Sequence, residues 1–188
     1  MNYEILKLSP IDMNILFILL FLTLAATLLL AVLFWIGFFY NLIRGDAPFL
    51  RSNRKKINIM LELAQIKPGE TVIDLGSGDG ALLIEAARHG AKSIGVEINL
   101  FLAVYSRVKV RLKRLGHKIN IVRGNLNSYP LDNADVIFIY LLPETLFKLQ
   151  NKLSSECKLG ARIVTNTFSI PGWTPEKEKN SVYLYKKP

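Results

Sequence analysis

The residues best able to do chemistry lie in one short stretch. Thr71-Val72-Ile73-Asp74-Leu75-Gly76-Ser77-Gly78-Asp79-Gly80 reads as an apolar strand running into a turn with glycine at every second position. A second strand, Ser93-Ile94-Gly95-Val96-Glu97, begins seventeen residues after Gly76 and ends in an acid. Glycines in such a turn let the backbone approach a ligand closely, and a strand-end carboxylate can grip the hydroxyls of a ribose. Together they hold a nucleotide-like cofactor in a doubly wound α/β domain. The turn is Gly-x-Gly-x-Gly, not Gly-x-Gly-x-x-Gly, and Asp79 sits inside it. That carboxylate repels a pyrophosphate but tolerates a sulfonium cofactor with an amino-acid tail. The turn therefore favours S-adenosylmethionine over NAD.

Positioning these groups requires a sheet with helices between its strands. Strands are expected over 72–75, 92–98, 119–122, 135–140, 161–167 and 182–185. Helices are expected over 57–63, 81–88, from Asn99 (a side chain suited to capping) to about Leu115, and over 145–155. Alternating strands and helices imply a parallel sheet with right-handed crossovers. Asp135-Val136-Ile137-Phe138-Ile139-Tyr140 is apolar on both faces, as a central strand should be. The last strand has too little chain before it for a crossover helix and is expected to be antiparallel. The sheet is then expected to have six strands.

Before this domain, from Ile15 to Tyr40, there is no charged residue. A run of that length exceeds the roughly 20 residues that cross a bilayer. It is too long, and its leader too acidic, for the apolar region of a cleaved signal peptide. Trp35 and Tyr40 stand toward the end, where amphipathic rings prefer the interface. The chain thus divides into a leader (1–14), a transmembrane helix (15–40), a basic juxtamembrane linker (41–56) and a cofactor-binding domain (57–188). Arg44, Arg51, Arg54, Lys55 and Lys56 follow the span, which places the domain on the cytoplasmic side, or in the matrix of a mitochondrion. These cations suit anionic lipid.

The net charge is +9. Nucleic acid would suit such a balance, but the juxtamembrane cations answer first to lipid. A second basic set, Arg107, Lys109, Arg111, Lys113 and Arg114, reads as a solvated helix face. With Cys157 the single cysteine there can be no disulfide within the chain. His89 and His117 lie near glycines at expected helix ends, where a ring can cap carbonyls; neither suggests a catalytic role or a metal site.

The chain resembles the membrane-anchored lysine methyltransferases that modify the ATP synthase c-subunit and the adenine nucleotide translocase. The resemblance rests on the apolar N-terminal segment, Ala47-Pro48-Phe49, the glycine turn, Gly95-Val96-Glu97-Ile98-Asn99 and Tyr105-Ser106-Arg107. It continues through Tyr140-Leu141-Leu142-Pro143 and Pro171-Gly172-Trp173-Thr174-Pro175. Ala81 stands where the family commonly has Arg, and Asn125-Leu126 where it commonly has Asp-Leu.

The resemblance implies a Rossmann-like class I methyltransferase fold: a mostly parallel sheet with an antiparallel last strand, preceded by one transmembrane helix. It implies S-adenosylmethionine as cofactor and a lysine of a membrane protein as acceptor. Gly76, Ser77, Gly78 and Gly80 would line the cofactor. Asp74 and Asp79 would face its ammonium or order the turn, and Glu97 would take the ribose hydroxyls. Ile98 and Leu126 would sandwich adenine, with Asn99 and Asn125 nearby. Tyr140, at the carboxyl end of a central strand, could meet the acceptor amine. Trp173 could line a lysine channel through cation–π contact or simply pack in the core. A lipid or small-molecule methyltransferase, and a tethered nucleic-acid-binding module without catalysis, are the alternatives.

Overall fold

The computed structural model of the chain describes residues 10–43 and 53–187, with side chains at 12–37 and 53–187. Arg44, Arg51 and Ala47-Pro48-Phe49 lie outside the described residues, as does the side chain of Tyr40. The chain divides into two units, residues 1–48 and 49–188.

The first unit holds helix α1 (Pro10–Ile43). Residues 12–37 of it are long and apolar enough to cross a membrane. Its apolar side chains are exposed all round, so it has no amphipathic face to lay on a core. The hydroxyls of Thr23 and Thr27 donate back to Leu20 O and Leu24 O, both at 2.8 Å, which satisfies them without solvent.

The second unit is a three-layer α/β domain. Its elements are α2 (Arg54–Ala64), β1 (Thr71–Leu75), α3 (Ala81–Arg88), β2 (Lys92–Glu97), α4 (Leu100–Leu112), β3 (Ile119–Arg123), β4 (Val136–Ile139), α5 (Pro143–Glu156), β5 (Arg162–Asn166), β6 (Lys177–Lys179) and β7 (Val182–Lys186). The sheet order is β3-β2-β1-β4-β5-β7-β6. The first five strands are parallel, β7 runs antiparallel to β5, and β6 runs antiparallel to β7. The order reverses direction between β1 and β4, the place where open α/β sheets leave a crevice at their carboxyl edge.

Two expectations are corrected. The sheet has seven strands, because Lys177-Glu178-Lys179 forms an edge strand that apolar patterning could not find: all three residues are charged and exposed. It joins β7 through Asn180-Ser181, both at positive φ, the geometry of a two-residue hairpin loop. The basic linker does not extend to residue 56, since Arg54, Lys55 and Lys56 form the first turn of α2. Asn53 caps that turn by accepting from Lys56 N at 2.8 Å.

Alternate residues of each strand serve opposite layers. Ile73, Leu75, Ile137, Ile139 and Ile163 pack with Leu146, Leu149 and Leu153 of α5. Val72, Val136, Phe138 and Val164 pack with α2 and α3. A third cluster joins Leu83, Ile84 and Ala87 of α3 to Ala103 and Val110 of α4 over β3.

Candidate active site

The strand β1 is buried from Val72 onward, so the chain leaves it deep in the domain and must reverse within a few residues. The glycine turn performs this reversal. Gly76, Gly78 and Gly80 all have positive φ, which side-chain-bearing residues adopt only under strain. Space is limited as well: a Cβ on Gly80 would lie 2.3 Å from Ser106 Oγ, and one on Gly76 would lie 3.2 Å from Leu141 Cδ2. Gly76 N and Ser77 N donate to Val96 O at 2.9 and 3.1 Å, tying the turn to β2.

Glu97 closes this loop. Its Oε2 accepts from Gly78 N and its Oε1 from Asn99 N, each at 2.8 Å. The side chain is buried, and its two bonds use half of the roughly four acceptor positions that a carboxylate offers. Glu97 therefore orders the turn while keeping capacity for two further donors. Asn99 caps α4, its Oδ1 accepting from Phe101 N and Leu102 N. Ile98, at 42% exposure, stands open beside them.

Asp79 lies on the helix side of the turn. Its Oδ1 accepts from Ala81 N, and its Oδ2 pairs with Lys109 Nζ at 2.9 Å. Lys109 also donates to the Asp79 carbonyl at 3.1 Å. Arg107 bonds Ile121 O through Nε and Nη2, fastening α4 to β3. The expected solvated face of α4 is corrected for these two residues: Arg107 and Lys109 are half-buried and turned inward. Sequence patterning foresees neither this pairing nor the seat of Gly80 on Ser106. The one available signal is spacing, since Ser106, Lys109 and Val110 recur at helical intervals on one side.

Asp74 is the penultimate residue of β1 and is buried. Burial, then the nearby charges of Glu97 and Asp79, push its carboxyl up to about 8. A buried carboxyl facing two others is matched to a cationic ligand, which would offset the mutual repulsion. The donor set thus fits S-adenosylmethionine, with its sulfonium, ammonium and ribose. A polyphosphate would deepen the repulsion.

The remaining expected residues separate into two places. Gly124 N donates to Glu97 O at 3.1 Å, which brings Asn125 and Leu126 to the same edge of the sheet. Asn125 is exposed, its Oδ1 accepting from Asn127 N at 2.9 Å, and Leu126 is half-buried against the core. Tyr140 follows β4, whose last residue Ile139 pairs with Leu75, so Tyr140 comes beside the start of the turn; it is half-buried. Trp173 lies elsewhere, in the loop after β5. Its ring meets Tyr185 edge-to-face at 6.0 Å and packs on the central core. The Tyr185 hydroxyl accepts from Ile170 N at 2.9 Å, and Gln150 Nε2 bonds Pro171 O, so this loop is held from two sides. His89 ends α3 as expected, its Nδ1 2.9 Å from Glu85 O.

Comparison with known proteins accords with this geometry. Residues 74–177 match the family described as the ANTKMT methyltransferase domain. A protein-lysine N-methyltransferase of Saccharolobus islandicus is 32% identical over 148 residues, 73% of this chain and 92% of that one. The ATP synthase c-subunit lysine N-methyltransferase of Xenopus laevis is 27% identical over 129 residues, 69% of this chain. The chain spans only 57% of that frog enzyme's length. Among solved structures, an RNA methyltransferase of Salinibacter ruber bound to S-adenosyl-L-homocysteine superposes with a TM-score of 0.73 at 30% identity, covering 74% of this chain and 94% of that one. With an acid-lined glycine turn at the switch point of a seven-stranded sheet, and with matches of this extent, the chain belongs to the ANTKMT methyltransferase domain family and is an S-adenosylmethionine-dependent class I methyltransferase.

Proposed function

We propose that this enzyme methylates the side-chain amine of a lysine on a membrane protein, acting from a single membrane anchor formed by α1. The observation that carries the lysine assignment is the match to nearly the full length of the Saccharolobus islandicus protein-lysine N-methyltransferase. The membrane assignment is supported by residues 12–37 and by a relative whose named acceptor is the ATP synthase c-subunit. The cations after the span argue for a domain on the cytoplasmic or matrix side, held against anionic lipid.

The bound cofactor supplies an electrophilic methyl on a sulfonium. Gly76, Ser77, Gly78 and Gly80 shape the wall against which it lies, and Glu97 uses its two free acceptor positions for ribose hydroxyls. Asp74 answers the cofactor's positive charge, while Asp79 acts through Lys109 to hold the turn. Ile98 and Leu126 flank the base, with Asn99 and Asn125 at its edge. Tyr140 meets the incoming amine beside the turn. Trp173 shapes the far loop and serves chiefly by packing. The amine must be neutral to attack, and lysine's ordinary pKa is about 10.4. Entry into an apolar passage favours the neutral form, and the proton leaves to water. What these residues contribute is chiefly alignment for an in-line displacement, an effect of up to about 7–11 kcal/mol in favourable cases.

The test is transfer of labelled methyl groups into native membranes by the full chain, resolved into protein, lipid and RNA fractions, with the modified residue mapped by mass spectrometry. Label on lysine of a membrane protein is expected. Label confined to lipid, or to RNA as in the Salinibacter neighbour, overturns the assignment.

A further inference from the structure

Helix α4 has two apolar faces, and only one of them is buried. Ala103, Ser106 and Val110 face the sheet. On the opposite side Phe101, Val104, Tyr105, Val108 and Leu112 are exposed at 73%, 46%, 57%, 49% and 80%. At 100° per residue these five fall within about 100° of arc, with no polar residue between them. The stripe runs about 17 Å from Phe101 to Leu112. A contiguous apolar stripe turned to solvent marks a surface that something covers.

The charge beside it narrows what that is. From Asn99 to Lys118 the chain carries six basic residues and no acid. Arg107 and Lys109 are used inward, while Arg111, Lys113, Arg114 and Lys118 are exposed around the end of the stripe. A second copy docked through the same face would bring apolar side chains to the stripe but no acid to these cations, since none occurs from Asn99 to Lys118. Nucleic acid would answer the cations but leave five apolar side chains without a use. An anionic bilayer surface answers both: acyl boundary for the stripe and headgroup charge for the cations, the pattern of an interfacial amphipathic helix.

We propose that the outward face of α4 docks on anionic lipid as a second membrane contact. The proposal rests on the membrane reading above for its setting, since the folded domain begins only ten residues beyond α1. Because α4 follows β2, its first turn lies at the carboxyl edge of the sheet, where the glycine turn and Tyr140 stand. Docking then fixes the mouth of the site at the bilayer surface, at the level where a lysine of an embedded protein emerges.

The test uses the full chain in nanodiscs of phosphatidylcholine, with and without phosphatidylglycerol. An environment-sensitive fluorophore is attached at Val108→Cys or, on the other layer of the sheet, at Asn151→Cys; the native Cys157 is buried and does not compete. With anionic lipid, the Val108→Cys label should shift to the blue and be quenched by bromolipid, while the Asn151→Cys label stays in water. Both changes should be lost in neutral nanodiscs and in Arg111→Glu/Lys113→Glu/Arg114→Glu. Equal water exposure at the two sites overturns docking. So does a blue shift already present in lipid-free detergent with doubled particle mass, which would assign the stripe to a second copy. Quenching that survives the triple substitution overturns the anionic-lipid assignment. Failure of the span itself reads differently, as protein lost from the nanodisc fraction. Such protein should still co-sediment with anionic vesicles through the unsubstituted α4 if the stripe docks, and its failure to do so overturns the proposal.

Discussion

Between β1 and α4 the buried residues include Asp74, Ser77, Asp79, Ser93, Glu97 and Ser106; across β4, β5 and β7 the buried polar residues are Thr165 and Asn166 alone. The first region holds carboxylates against one another and turns the chain through positive φ three times in five residues. The second is filled with Val, Ile, Leu, Phe and Tyr. The domain thus concentrates its buried charge beside the glycine turn, and the apolar half supplies the stability that tolerates it. Substitutions should divide accordingly, those in the first region acting mainly on binding and those in the second mainly on folding.

The largest effect is expected at Glu97. Glu97→Ala removes the ribose acceptor proposed above and also orphans Gly78 N and Asn99 N, so cofactor affinity should fall on the order of a hundredfold or more. Calorimetry on folded protein checks this, and unchanged affinity would remove Glu97 from the site.

A pair of glycines tests the contrast itself. Gly80 and Gly160 have similar positive φ, +70° and +76°, but only Gly80 is backed by a neighbour, Ser106. Gly160→Ala should cost about 1–2 kcal/mol, the left-handed penalty alone, and leave cofactor affinity unchanged. Gly80→Ala adds the collision with Ser106 Oγ and should cost a further 1–3 kcal/mol or so as well as weakening binding. Equal losses from chemical denaturation would show that the two halves are not differently built.

Asp74 gives a smaller, pH-dependent effect. Its carboxyl is raised from 3.8 to about 8, so the fold favours the protonated form. The group therefore costs nothing below the unfolded value, and stability is lost as pH rises from about 4 through about 8. Asp74→Asn should raise Tm at pH 9, with the gain vanishing toward pH 4, while weakening cofactor binding. A gain that is the same at both pH values would contradict the electrostatic strain. The smallest effect is expected at Trp173. Trp173→Phe should cost about 1 kcal/mol of stability through the lost contact with Tyr185, with cofactor affinity unchanged. A large fall in kcat with stability intact would move Trp173 from packing into the acceptor passage.

The turn and Glu97 were legible because backbone chemistry restricts them: glycine takes positive φ three times in five residues without a Cβ penalty, and an acid closing the neighbouring strand reaches back to the turn. The parallel core was legible from continuous apolar strands. Strand β6 was not, because an edge strand of three charged residues has no apolar pattern to read. Lys109 and Arg107 looked like solvated cations because their partners, Asp79 and the Ile121 carbonyl, lie about thirty and fourteen residues away and meet them only after α4 packs. The same helix hid its outward stripe. Val108, Val110 and Leu112 alternate with basic residues in sequence, yet Val110 turns inward while Val108 and Leu112 turn out.

The charged edge strand has a bearing on crowding. With the proposed anchor, copies confined to one membrane plane would meet one another far more often than free ones, and an open sheet edge is an invitation to join. Laid antiparallel and in register against its own copy, β6 would set Lys177 opposite Lys179 and Glu178 opposite Glu178; laid parallel, it would again match each residue with itself. Either way every cross-strand pair is like-charged, and such pairs oppose association. The last strand added to the sheet is thus written in a sequence that cannot comfortably pair with itself.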